Sequence, residues 1–540
     1  MSPFQTRALR VAPWIVVLLL GCGDTGSLLS RPMNLLPPAA VGRSIVFIDP
    51  SQHVATMLNA DDVTAEPTRI TLPNQPQPLV PRPQSLTPRP GGSEALVLCR
   101  GASDDPRSED EAAALVVLSE TGEARRYPLD TRFNSMTVSD DGRYAMLFFR
   151  DNDSSNSFVF NPNEVAVIDL DRPFSADDTA DPNPYSRTLR SFGNAPTQIV
   201  FSPELTIAGE MRRLAVVLYE TGVLFFDLDH LDRPEYTIEL ATSTDRTIDL
   251  AEVVFDAEGG RLYLRGDSSS DVYVITLTGT TPTGTDNDFA PSLNQLGIGA
   301  VPLDMALYTS GVEPRLLAIT AGSQAVVVDA NTSRTTAIPL PVTATSIQIY
   351  RATSPSDPVE EPRAVLYDDG GSTVMFLDLR DVEERRARNL ETLSVGSTYS
   401  TATTLDARLV LLTHTSRGLS VLNIEERTAS PISSTQNLSN AVSDTTAQKL
   451  WLAPPGQSQL GFLDLADGFH PGAINLSRPI TSLVQVDGEG LPPLLAVVHS
   501  STVGHITMMD RENPTDLTLA TATRGFLLQN ILDRAEEETP

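Results

Sequence analysis

Carboxylates are the most concentrated functional groups in this chain of 540 residues. Gly101 to Glu111 carries Asp104, Asp105, Glu109, Asp110 and Glu111 against a single arginine, Arg107. Arg150 to Glu164 carries Asp151 and Asp153 among several asparagines and serines. Acids gathered in loops on a rigid scaffold are a candidate partner-contact surface. Asp151-Asn152-Asp153-Ser154-Ser155 also offers oxygens at alternate positions, as a calcium loop does at its start. Asn156 and Pro162 stand where that loop needs its sixth-place glycine and twelfth-place glutamate. A solvated loop is the default reading, and Ca²⁺ is the one cofactor candidate.

Other catalytic chemistry has little material. His53, His230, His414, His470, His499 and His505 are dispersed, with no zinc or haem-attachment spacing. Nucleophile elbow, P-loop and dinucleotide fingerprint are all missing from the sequence. His499 and His505 flank a predicted hairpin turn and read as ordinary surface residues. Cys99 closes the apolar run Ala95-Leu96-Val97-Leu98-Cys99 and reads as a buried structural thiol. Acidic residues number 69 against 39 basic ones, a net charge of −30. That balance argues against a nucleic-acid footprint. Lys449 is the only lysine, and the arginine excess reads as a coding preference.

Arg7 and Arg10 precede the short apolar run Val11 to Leu20, which is too short to span a bilayer permanently. Leu19-Leu20-Gly21-Cys22 follows and resembles the lipobox of bacterial lipoproteins; a plain secretory signal is the alternative. The resemblance implies lipidation of Cys22, cleavage before it, and attachment to a membrane through the N-terminal lipid. Several acyl chains anchor stably where one binds reversibly. Gly23, by the same resemblance, leans towards the outer membrane. Removal of residues 1–21 takes Arg7 and Arg10 and no acid, so the charge moves from −30 to −32. Residues 22–43 read as a tether.

From Ser44 onward one apolar run keeps returning, with a small polar residue at its end. Examples are Ile45 to Asp49, Val165 to Asp169 and Val223 to Asp227. Later copies end at Thr276, Asp329, Asp378, Asn423, Asp464 and Asp510. A basic residue opens a second strand at a near-fixed distance upstream: Arg213, Arg261, Arg315, Arg363, Arg408 and Lys449. Two strands and a tight turn take up that distance. Turns such as Ser139-Asp140-Asp141-Gly142-Arg143 supply a further strand upstream. The repeated aspartates read as turn formers rather than a ring of catalytic carboxylates. The repeated cations read as stems packing at strand starts, with their charges reaching water.

Four antiparallel strands about every fifty residues make a β-propeller blade. The apolar run with its Asp, after Ser-Asp-Asp-Gly-Arg, resembles the YVTN/WD40-like propeller superfamily. The fold class expected is therefore all-β: a single propeller of eight or nine four-stranded blades over residues 44–532, with two smaller propellers as the alternative. The N-terminal fragment carrying Asp49 is expected to pair with a strand such as Phe526 to Leu532. The unit ending at Thr276 shows no clear fourth strand. Asn74 to Gly92 and Thr278 to Asn294 read as loops or linkers, and 533–540 as an acidic tail.

The address and shape imply an extracytoplasmic, lipid-anchored, non-catalytic scaffold for a protein or glycan partner. The fold-level parallel is the propeller lipoprotein of the outer-membrane protein assembly machinery. The alternative is an enzyme resembling lactonase-type or quinoprotein-type propellers. It requires polar groups from different blades to converge at the central channel.

Overall fold

The computed structural model describes residues 35–529 except 51–53, 71–81, 102–112, 151–160, 176, 178–180, 191–194, 208, 241–247, 281–287, 311–312, 355–356, 381, 383–389, 417, 433–440, 455, 467–468 and 489. Their fold is a β-propeller of ten four-stranded antiparallel sheets, the blades. In chain order the blades occupy 39–70, 83–128, 135–188, 198–239, 250–297, 302–339, 346–394, 399–432, 441–475 and 480–524. The four strands of each blade follow one another in space as in sequence. Blade 4 adds a hairpin, Leu205–Ile207 with Glu210–Arg212, between its first and second strands.

The second and third strands of a blade are covered on both faces, which explains why they read as continuous apolar runs rather than alternating ones. In the strand Ser44–Asp49, Val46 and Ile48 enter a core shared with blade 2. Ile45 and Phe47, on the opposite face, enter a core shared with blade 10. Similar cores join blades 3 and 4, around Met146 and Phe226, and blades 5 and 6, around Tyr263 and Leu316.

The repeated aspartates are turn formers. Asp169 Oδ1 accepts from Asp171 N at 3.1 Å, and Asp227 Oδ1 from Asp229 N at 2.9 Å. Asp329, Asp378, Asn423 and Asp510 do the same for amides that follow them. The repeated cations do more than pack their stems. Arg315, Arg363 and Lys449 stand directly across the ladder from Asp329, Asp378 and Asp464. Lys449 Nζ lies 3.7 Å from Asp464. In blade 4 the neighbouring Arg212, not Arg213, takes this role, at 2.8 Å from Asp227.

Ten blades replace the expected eight or nine. The stretch around Asp49 is a complete blade with its own short outer strands, Ala39–Val41 and Thr68–Ile70. The unit ending at Thr276 has a fourth strand, Phe289–Gly297, so only part of Thr278 to Asn294 is a connection. Likewise Pro83–Pro88, inside the expected Asn74 to Gly92 linker, is the first strand of blade 2. Phe526 does not belong to a closing strand. It lies just after Thr521–Arg524, in a turn, with its ring 4.7 Å from Phe47.

The chain divides into two compact units. One comprises residues 1–132, 439–464 and 472–540; the other comprises 133–438 and 465–471. The first unit therefore contains both the N-terminal and the C-terminal blades. Among the described residues no helix is long and apolar enough to cross a membrane.

Candidate functional site

Blade 3 departs from the repeat after its third strand, Glu164–Asp169. The chain runs fifteen residues before the fourth strand starts at Tyr185, against four or five in blades 2, 6 and 8. Asn183 folds this excursion back. Its Nδ2 donates to the carbonyls of Asp169 (3.1 Å) and Arg172 (2.9 Å), and its Oδ1 accepts from Asp169 N (3.2 Å). Buried to 6% exposure, Asn183 fixes the loop from inside, as a satisfied polar group does.

A cavity of about 440 Å³ opens between this loop and the turn of blade 4 that follows Asp227. Its size is that of a small-ligand pocket. Arg143 spans it, with Nη2 3.2 Å from Asp169 and Nη1 3.9 Å from Asp229 of the neighbouring blade. The Arg143 guanidinium also lies 4.8 Å above the Tyr144 ring. Arg172 pairs with Asp181 at 2.6 Å. Burial works against the charge on Arg143, but the bond to Asp169 and the surrounding carboxylates outweigh it and raise its pKa. Burial first, and then the nearby carboxylates against the pull of Arg143, hold the Tyr144 hydroxyl protonated far above neutrality. His230 and Asp232 complete the far wall. The cavity presents fixed donors beside fixed acceptors, with its arginines already partnered by carboxylates.

A second polar cluster joins first strands, which lie side by side in successive blades 5, 6 and 7. Glu252 accepts from Arg265 Nε at 2.6 Å, and Asp304 accepts from Met305 N (2.9 Å) and Ile347 N (2.6 Å). Burial pushes the Glu252 carboxyl up to about 7; Arg265 opposes this and the charge of Asp304 adds to it. Burial also raises Asp304, against its two amide donors. The bond between the two carboxyls raises Glu252 and lowers Asp304, so Glu252 is the donor of the pair when it is protonated.

The sequence-predicted sites fare unevenly. Cys22 lies outside the described residues, as do Asp104, Asp105, Glu109, Asp110, Glu111, Asp151 and Asp153. The strands flanking the acidic insertions are the second and third of blades 2 and 3. Cys99 is buried, and burial pushes its thiol well above the ordinary range. His499 and His505 are not surface residues. They are 3% and 1% exposed, with ring centroids 4.6 Å apart. Among the described residues no cluster of three or more His, Cys, Asp or Glu is arranged to hold a metal. Sequence reasoning missed the cavity, although the acid- and proline-rich stretch between Asp169 and Tyr185 is as clear a break in the repeat as the two insertions it did single out.

No protein-family profile and no curated protein matches the chain. Solved structures similar to it include the dihydro-heme d1 dehydrogenase NirN in complex with DHE, at 12% identity over 75% of each chain and a TM-score of 0.37. A eukaryotic initiation factor is similar at 12% identity, over 75% of this chain and 87% of that one, with a TM-score of 0.39. These are likenesses of fold and carry nothing about activity.

Proposed function

We propose that this chain is a bacterial envelope lipoprotein, anchored through Cys22 and favouring the outer membrane, whose YVTN/WD40-like propeller is a non-catalytic scaffold for a protein or glycan partner. The observation that carries the binding role is the cavity between blades 3 and 4. A loop excursion held by Asn183 builds it, and its ionic groups satisfy one another instead of being poised for proton transfer. The anchor rests on the n-region, apolar run and cysteine of residues 1–22. Metabolic labelling with a palmitate analogue tests it: the wild type takes up label, and Cys22→Ala does not and is released from the membrane fraction. Label retained by Cys22→Ala removes the anchor from this reading.

A second reading has one observation in its favour. Glu252, near 7 and sharing a proton with Asp304 of the next blade, has the protonation balance of a general acid–base group at neutral pH. It predicts hydrolysis of a simple lactone that Glu252→Gln abolishes. A wild-type rate equal to buffer alone leaves the scaffold reading in place.

A further inference from the structure

We infer that the cavity between blades 3 and 4 is a saccharide site that engages vicinal hydroxyls of a neutral sugar; this rests on the scaffold reading and names the ligand class of its contact site. A sugar hydroxyl both donates and accepts. Adjacent hydroxyls are held best where a fixed donor and a fixed acceptor stand side by side. The cavity offers that arrangement twice, as Arg143 beside Asp169 (3.2 Å) and as Arg172 beside Asp181 (2.6 Å).

The pairing also decides the charge of the ligand. Arg143 lies between two carboxylates, those of Asp169 and Asp229, and Arg172 is held by Asp181. The lining carries four aspartates, Asp169, Asp181, Asp229 and Asp232, against the two arginines, so its net charge is negative. Phosphates, sulfates and uronic acids are therefore disfavoured. The phenol of Tyr144, protonated at all physiological pH, and the ring of Tyr185 add a polar and an apolar contact of the kind a sugar uses.

The Asp169 side of the site is preorganised. Asn183 is buried and fully bonded to the loop backbone, and Asp169 is fixed by the amide of Asp171. A ligand does not have to order these groups, which favours measurable affinity for a small molecule.

The test uses the full chain without residues 1–21 on an array of neutral, sialylated and sulfated oligosaccharides, followed by calorimetry on the best neutral sugar. Binding to neutral sugars is expected in the range of about 10 μM to 1 mM. Replacing one of the two vicinal hydroxyls by hydrogen should weaken it at least about tenfold, since a buried donor or acceptor is then left unmet. Asp229→Asn and Arg172→Gln, both on the exposed side of the cavity, should each weaken it by a similar factor with the melting temperature unchanged. Preference for sialylated or sulfated sugars overturns the inference, as does neutral-sugar binding that both variants leave intact. A blank array overturns it too. If envelope proteins are then retained by the wild type and lost with Asp229→Asn, the scaffold reading survives its failure; if nothing is retained, both fall.

Discussion

Arg212 and Asp227 face each other at 2.8 Å in blade 4, with 6% and none of their side-chain surface exposed. Glu210 and Asp288 hold the other side of the same guanidinium. Arg212→Ala leaves a buried carboxylate without its partner, and the expected loss is about 3–5 kcal/mol. The neighbouring Arg213, which pairs with Asp141 and with the half-exposed Glu204, should cost about 1 kcal/mol or less as Arg213→Ala. Urea unfolding of the two variants measures the difference. Equal losses would mean that burial does not set the strength of these pairs.

Phe47 and Phe526 meet at 4.7 Å in the core shared by the first and last blades. Phe526→Ala should destabilise by about 3 kcal/mol, with excess proteolysis at the two chain ends before the rest. Gly504→Ala should act through the same contact. Gly504 has a φ of +81°, and a Cβ there would stand 2.9 Å from the Phe526 ring. Limited proteolysis read by mass spectrometry would locate the first cuts, and cuts beginning in blades 5 to 7 would refute the assignment.

His505 has neither ring nitrogen hydrogen-bonded among the described residues and faces His499, Arg478 and Arg524. His499 bonds to the Arg478 carbonyl and to Thr507, and burial lowers its pKa also. Burial first, then His499 and the two arginines, lower His505 to about 4. The unfolded chain, with an ordinary imidazole near 6.5, binds more protons across that interval, so stability falls as pH drops from about 6.5 to 4. The loss at pH 4.5 should be on the order of 2 kcal/mol. In His505→Phe this part of the acid sensitivity should vanish. Thermal scans across that range decide it, and an unchanged slope in the variant would count against a neutral buried His505.

Glu252 behaves in the opposite sense. Its folded pKa, about 7, lies above the ordinary 4.5, so the stability it gives is complete below 4.5 and is lost as pH rises through 7. Glu252→Gln keeps the hydrogen bond to Asp304 without the titration. Relative to the wild type, the variant should gain about 2–3 kcal/mol in stability between pH 5 and pH 8. A difference from the wild type that is the same at both pH values would contradict a proton held on Glu252.

What could be read from sequence followed burial. The second and third strands of each blade are covered on both faces, so Leu214 to Leu218 and Val223 to Asp227 announce themselves as apolar runs. The turn after them is legible because Asp bonds its own backbone. Outer strands are half solvated, and Phe289–Gly297 therefore reads as a polar linker. Ala39–Val41 has only three residues and hides blade 1 as a fragment. The candidate cavity is made from the length of a loop and from Asn183 bonding to main-chain atoms, neither of which carries a periodic signal. The two buried histidines were missed for a related reason, since Phe526 and Leu527, which pack over Gly504 beside them, come from a turn after the last strand.

The contact of Phe47 with Phe526 also sets an order in time. About 480 residues separate the two rings. At about 5–20 residues per second, the ribosome delivers the second roughly half a minute to a minute and a half after the first. Through that interval Phe47 has only the neighbours of its own blade, such as Leu58 and Val63, and then the blade 10 side chains made shortly before Phe526, so the first blade to be made is among the last to be finished.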